Sequence, residues 1–174
     1  MIGIIDIKIG NLRSVFNSVY SLGYDVDIIQ DKFDSKKFSH LIIPGVGSFN
    51  KVMKSKELSN FLISINEFAK QKKPILGICL GMHILAEIGF EGGKIKGLGF
   101  IPGEIHQIEI NENIQIPHIG WNSVNFKFEH KILSGIKNNV DFYFVHSYFF
   151  KSPIKKNILA ESKYGKFFFS CNYS

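Results

Sequence analysis

Apolar and polar positions follow two different rhythms along this chain. Met1 to Asp6 is a nearly continuous apolar run, which predicts a buried strand closed by Lys8-Ile9-Gly10. Leu12, Val15, Phe16, Val19 and Leu22 then recur at helical spacing, predicting a helix capped by Asn11 and ended by Gly23. Tyr24 to Ile29 and His40 to Ile43 read as two further strands, the second stopping at Pro44-Gly45-Val46-Gly47-Ser48-Phe49. Leu58, Phe61, Leu62, Ile65, Phe68 and Ala69 mark another amphipathic helix, and Pro74 opens a short strand from Ile75 to Ile78. Strand, helix, strand, strand, helix, strand is the order of an α/β fold, an open and mostly parallel sheet flanked by helices.

After about residue 93 helical spacing gives way to short strand-like runs. These are Glu104 to Ile110, Ser123 to Phe128, Asp141 to Phe150, Asn157 to Ala160 and Lys166 to Asn172, separated by Pro, Gly and Asn turns. They predict antiparallel strand additions in the C-terminal half. No repeat, linker or low-complexity stretch marks a second domain, and 174 residues suit one domain with a full core.

The stretch Pro74 to His83 carries the chemistry. Gly77-Ile78-Cys79-Leu80-Gly81 places a cysteine between two glycines where a strand turns into a helix, the thiol form of a nucleophile elbow. The residue at such a bend is strained and crowded, and glycines two positions away bring no β-carbon to clash. Helix amides beside the thiol favour thiolate. Five residues alone also fit a buried structural cysteine. Pro44-Gly45-Val46-Gly47 ends another parallel strand, and both motifs belong at the carboxyl ends of strands, where open α/β sheets work. A glycine loop there and the Leu80 N–H can form an oxyanion hole.

Composition narrows the function classes. The formal charge is +6, but the basic residues are scattered lysines with Arg13 as the one arginine, which reads as a solvated surface and not a nucleic-acid face. No apolar run is long enough to span a membrane, and Met1-Ile2-Gly3-Ile4-Ile5-Asp6 lacks the basic start of a signal peptide, so a cytoplasmic enzyme is expected. Cys79 and Cys171 make no disulfide framework, and no Cys and His spacing resembles a zinc site, so neither metal nor cofactor is implied.

Four motifs in order resemble triad-type, class I glutamine amidotransferases. They are Pro-Gly-Val-Gly-Ser-Phe at 44–49, Gly-Ile-Cys-Leu-Gly-Met at 77–82, Pro-His-Ile-Gly-Trp-Asn at 117–122 and Phe-Val-His-Ser-Tyr at 144–148. With Gly10-Asn11-Leu12-Arg13-Ser14-Val15, the chain is most similar to the glutaminase subunits of imidazole glycerol phosphate synthases. The resemblance implies Cys79 as the nucleophile, an oxyanion hole at Gly47 and Leu80, and L-glutamine held near Val46, His83, His146, Ser147 and Tyr148. It implies a (β/α)₈ barrel cyclase as heterodimer partner, receiving ammonia through a sealed passage for histidine biosynthesis. Gly10, Asn11, Trp121, Asn122 and Tyr143 are the partner-facing candidates, although Trp121 also fits a core position and His146 a satisfied core histidine.

Two departures qualify this picture. His83 stands where the family usually has Gln; on a regular helix it would share a face with Cys79, though an elbow interrupts that geometry. The family draws its general base and orienting acid from a Phe-His-Pro-Glu-type segment after a final strand and before a last helix. The sequence stops at Cys171-Asn172-Tyr173-Ser174, where that segment should begin, and no internal His-x-Glu replaces it. The expectation is a single amidotransferase domain lacking its C-terminal strand, His/Glu segment and last helix. The same glutaminase serving a surface-sugar synthase, and a degenerate partner-binding protein without activity, are the two alternatives.

Overall fold

The computed structural model describes residues 1–110 and 114–164, and the backbone of 167–172. The chain folds into two compact units, one of Met1–Leu85 with Ile95–Leu98, the other of Ala86–Lys94 with Gly99–Ser174.

In the first unit, β1 (Ile2–Ile5), α1 (Leu12–Ser21), β2 (Val26–Ile29), β3 (His40–Gly45), α2 (Phe49–Met53), α3 (Lys56–Lys70), β4 (Ile75–Cys79) and α4 (Leu80–His83) follow in order. The four strands pair in parallel in the order β2-β1-β3-β4. Their interior is apolar, with Ile4, Ile5, Leu41 and Ile43 buried, so strands read as continuous hydrophobic runs. In α3, Leu58, Phe61, Ile65 and Phe68 are buried at helical spacing, and Ser55 caps the helix by accepting the Leu58 N–H at 3.1 Å. Burial of each such side chain is worth about 1.5–3 kcal/mol.

Strand β3 runs two residues beyond the expected stop, through Pro44 to Gly45. Leu41 donates its N–H to Pro74 O, so Pro44, three residues on, turns its nitrogen the other way, toward β1. The β1–β3 ladder has already ended at Ile4–Ile42, and the missing donor costs nothing there. The helix after Cys79 is a single turn. Ile84, Leu85 and Ala86 are consecutively buried, a pattern that a one-sided surface helix cannot satisfy.

After the short β5 (Ala86–Gly89) and β6 (Ile95–Lys96), the second half contains β7 (Ile101–Gln107), β8 (His118–Phe126), β9 (Val140–His146), β10 (Tyr148–Lys151), β11 (Ile158–Tyr164) and β12 (Phe167–Asn172). In the second unit β7 pairs parallel with β5 and antiparallel with β10. Strands β9, β8, β11 and β12 form an antiparallel sheet in that order. The expected strand Asp141 to Phe150 is therefore two strands in two sheets, divided at Ser147.

Candidate active site

Cys79 closes β4 with φ 54° and ψ −115°, a left-handed conformation that a side chain rarely adopts. The two glycines explain how the chain tolerates it. A β-carbon on Gly77 would stand 2.5 Å from the Gly81 carbonyl and from Met82 Cα, and one on Gly81 would overlap the Ile43 carbonyl oxygen. Strand, cysteine and following turn thus pack backbone on backbone. This is the geometry of a nucleophile elbow. The turn also takes Cys79 out of helical conformation, so His83 does not share a helix face with it by simple four-residue spacing.

Cys79 is exposed, yet burial pushes its thiol above the ordinary value, with the Leu80 backbone N–H pulling the other way. Its exposure to water tempers the desolvation. The expected thiolate-favouring amide is present, but a four-residue α4 offers little macrodipole and desolvation outweighs the hydrogen bond. Among the described residues Cys79 is a free thiol. Cys171 has its backbone in β12, and its side chain lies outside the described residues.

The glycine loop lies beside the elbow. Gly45 is registered opposite Cys79, and a β-carbon on it would touch Leu80 Cβ at 3.4 Å. Val46 is exposed, and Gly47 has φ 107° with open space around its α-carbon. Gly10, at φ 135°, approaches Gly45: a β-carbon there would lie 3.5 Å from the Gly45 nitrogen. Asp6 fixes this third loop by accepting the Lys8 backbone N–H at 2.9 Å and its Nζ at 2.7 Å, while Lys8 takes φ 60°. Asn11 accepts the Ser14 N–H at 3.2 Å, so its side chain is the N-cap of α1. The ends of β1, β3 and β4 therefore bring Gly10, Gly45, Cys79 and Leu80 together, and Val46 and Gly47 follow Gly45 directly in the chain.

Of the remaining glutamine candidates, His83 ends α4 in the first unit, and His146, Ser147 and Tyr148 lie in the second. His146 Nδ1 donates to the Tyr148 carbonyl at 2.9 Å, and its Nε2 lies 2.9 Å from His118 Nδ1. Burial lowers the pKa of both rings, with the mutual repulsion of two charged imidazoles adding to the effect at His118. Burial also raises the Tyr148 hydroxyl, and the negative charge of Glu91 reinforces it. Trp121 and Tyr143 are cross-strand partners with ring centroids 5.6 Å apart, exposed by 72% and 56%. Trp121 is thus a surface residue. Asn122 donates Nδ2–H to the Lys163 carbonyl at 2.7 Å.

Glu91 and His118 escaped the sequence reading. Glu91 sits among turn residues with no periodic signal, and only the fold carries its charge to Tyr148. His118 stood inside a quoted motif, but nothing in its spacing announces a ring partner 28 residues away.

Residues 3–169 match the model of the glutamine amidotransferase class-I family. The chain belongs to that family. Among its relatives, imidazole glycerol phosphate synthase subunit HisH 1 of Campylobacter jejuni subsp. jejuni serotype O:23/36 (strain 81-176) is 43% identical over 166 residues, 95% of this chain and 82% of the relative. Subunit HisH 2 of Methanococcus maripaludis is 42% identical, covering 94% and 81%, and subunit HisH of Aquifex aeolicus 38%, covering 96% and 80%. Among solved structures, one described as a glutamine amidotransferase aligns with a TM-score of 0.68 at 15% identity, covering 97% of this chain and 87% of that one. PurLQS from Thermotoga maritima aligns at 0.66 and 16%, covering 92% and 73%. These two speak for the fold of a class-I glutamine amidotransferase: a mostly parallel sheet flanked by helices, with antiparallel strands in the C-terminal half.

Proposed function

We propose that this class-I amidotransferase is the glutaminase subunit of an imidazole glycerol phosphate synthase, serving histidine biosynthesis. The observation that carries the reading is the strained Cys79, at φ 54° and paired in register with Gly45 of the glycine loop, in a chain 43% identical to a subunit of that synthase. In this reading the Cys79 sulfur attacks the side-chain amide carbon of L-glutamine. The C–N bond breaks, ammonia leaves with an added proton, and water hydrolyses the thioester to glutamate. The N–H groups of Gly47 and Leu80 hold the oxyanion. Val46, His83, His146, Ser147 and Tyr148 bind the amino-acid end, and the Glu91 carboxylate near Tyr148 matches an α-ammonium in sign.

Ammonia loose in neutral water becomes ammonium and loses its nucleophilic lone pair, so delivery needs a sealed path into a (β/α)₈ barrel cyclase bound as a heterodimer. Ile119, Trp121, Tyr143 and Val145 are exposed apolar residues in paired positions of β8 and β9, and an apolar surface of this kind supports docking there. Gly10, Asn11 and Asn122 complete the proposed interface. No described helix is long and apolar enough to cross a membrane, and a cytoplasmic site of action fits the pathway. The names of the relatives point neither to a surface-sugar acceptor nor to a protein without activity.

No His-x-Glu pair in the sequence matches the family segment that supplies the general base and orienting acid. Ammonia release from glutamine, with the cyclase present, tests the assignment in three proteins. The 174-residue chain should be slower than an extended version by at least the roughly 10²–10⁴-fold that acid–base help typically contributes. A version extended through a Phe-His-Pro-Glu segment should turn over, and Cys79→Ala in that version should not. Turnover surviving Cys79→Ala would overturn the reading.

A further inference from the structure

His118 lies where no substrate group is expected, yet it is 3% exposed and tightly held. Tyr164 stacks on its ring at a centroid distance of 3.9 Å and Phe144 at 5.1 Å, both near parallel. Tyr164 is itself tied down, its hydroxyl donating to the Gln115 carbonyl at 2.9 Å. The ring therefore has one orientation, with Nδ1 facing His146 Nε2 at 2.9 Å.

The proton positions follow by elimination. The Tyr148 carbonyl can only accept, so His146 Nδ1 carries a proton. In a neutral His146 ring, Nε2 is then a bare acceptor, and His118 Nδ1 must be the donor to it. Burial lowers both rings' proton affinity, which keeps both neutral near pH 7. The result is a directed chain from His118 through His146 to the Tyr148 carbonyl.

That chain closes a corner. β9 ends at His146 and β10 begins at Tyr148, so Ser147 is the single residue by which the backbone leaves one sheet for the other. The Ser147 carbonyl accepts the Ile108 N–H at 2.9 Å, and the His146 ring folds back over the corner to Tyr148. The geometry points to His118 as a positioning residue: by donating to His146 Nε2 it joins the Tyr148 carbonyl in holding the ring and its tautomer from both nitrogens, and so sets the shape of the 146–148 corner for ligand binding. This inference rests on the reading of that corner as part of the glutamine site.

Two measurements on the full chain with its cyclase partner separate the inference from that reading. In ¹⁵N-histidine-labelled protein, two-bond ¹⁵N–¹H correlations should show His146 as a single Nδ1–H tautomer. His118→Phe keeps the stack and removes the donor at Nε2, and should let His146 populate the Nε2–H tautomer measurably, since of these two holds on the ring only the Tyr148 carbonyl then remains. His118→Asn, whose amide can place an N–H near the former Nδ1, should restore the fixed form. The second measurement is saturable inactivation by a chloroketone analogue of glutamine. His118→Phe should raise the half-saturating concentration about tenfold while leaving the limiting rate within twofold, since the lost hydrogen bond acts on binding and not on the reacting carbon. His118→Asn should recover most of that loss. A fixed Nδ1–H tautomer in His118→Phe overturns the proposal, as does unchanged half-saturation when the tautomer is lost. If the wild type shows no saturable inactivation, the glutamine reading fails, and with it the ligand-binding role proposed for His118.

Discussion

Gly81 sits directly against the carbonyl oxygen of Ile43, in a space that no β-carbon can enter. The contact joins the turn after Cys79 to the neighbouring strand. Gly81→Ala must move backbone, and should lower unfolding stability by about 3 kcal/mol, the upper end of overpacking costs. Gly47 also has a positive φ but has open space around it, so Gly47→Ala should cost only about 1–2 kcal/mol in backbone strain. Urea denaturation of the two variants checks the order. Equal losses would contradict the packing account of the elbow.

The thiol of Cys79 is held toward its protonated form, because burial outweighs the Leu80 N–H. Its alkylation by iodoacetamide in the chain alone should therefore remain slow at neutral pH and climb as the pH passes above the ordinary cysteine value. A rate already at its plateau at pH 7 would contradict the balance read from the structure. Activation in the working enzyme then falls to a neighbouring base and not to the turn alone.

Stability should depend on pH through the two paired histidines. Both have folded pKa values depressed below the unfolded value of 6.5, so the unfolded chain binds more protons in that range. Their contribution is complete above about pH 6.5 and is lost as the pH falls through the folded values. His118→Phe should flatten this part of the profile. Thermal midpoints from pH 8 to pH 5 measure it, and an equally steep fall in the variant would place the titrating group elsewhere.

Strands β1 and β3 were legible because burial on both faces leaves uninterrupted apolar runs, whereas β4 keeps its apolar run although Leu76 and Ile78 are exposed; α3 was legible because Leu58, Phe61, Ile65 and Phe68 keep strict helical spacing. The elbow was legible because sterics at Cys79 demand glycines at fixed offsets. The corner at Ser147 was not: Asp141 to Phe150 contains no Gly, Pro or Asn, and the polar pair His146-Ser147 within it does not by itself say that a strand changes sheets. The same holds for the one-turn α4, whose length is set by burial of Ile84 to Ala86 and not by a local breaker. Pairings such as His118 with His146 arise only when β8 and β9 come into register.

Two residues proposed for the partner interface should behave differently when truncated. Trp121→Ala removes a large exposed aromatic paired with Tyr143, and should weaken cyclase binding by about 2 kcal/mol or more without loss of stability. Asn11→Ala removes the N-cap of α1 and should cost about 1 kcal/mol of stability in the chain alone. Calorimetric titration with the cyclase, beside thermal unfolding of the free chain, separates the two effects. Full affinity in Trp121→Ala would remove β8 from the interface.

If Cys79 is the nucleophile of a glutamine site, an electrophilic glutamine analogue must be captured on its sulfur. The chain with its cyclase partner is treated with the chloroketone analogue of glutamine, with and without excess L-glutamine, and the label is located by intact mass and peptide mapping. One label per chain is expected, on the peptide carrying Cys79, slowed by L-glutamine and absent in Cys79→Ser. Label appearing first on Cys171, or on Cys79 at a rate that saturating L-glutamine leaves unchanged, would contradict the assignment.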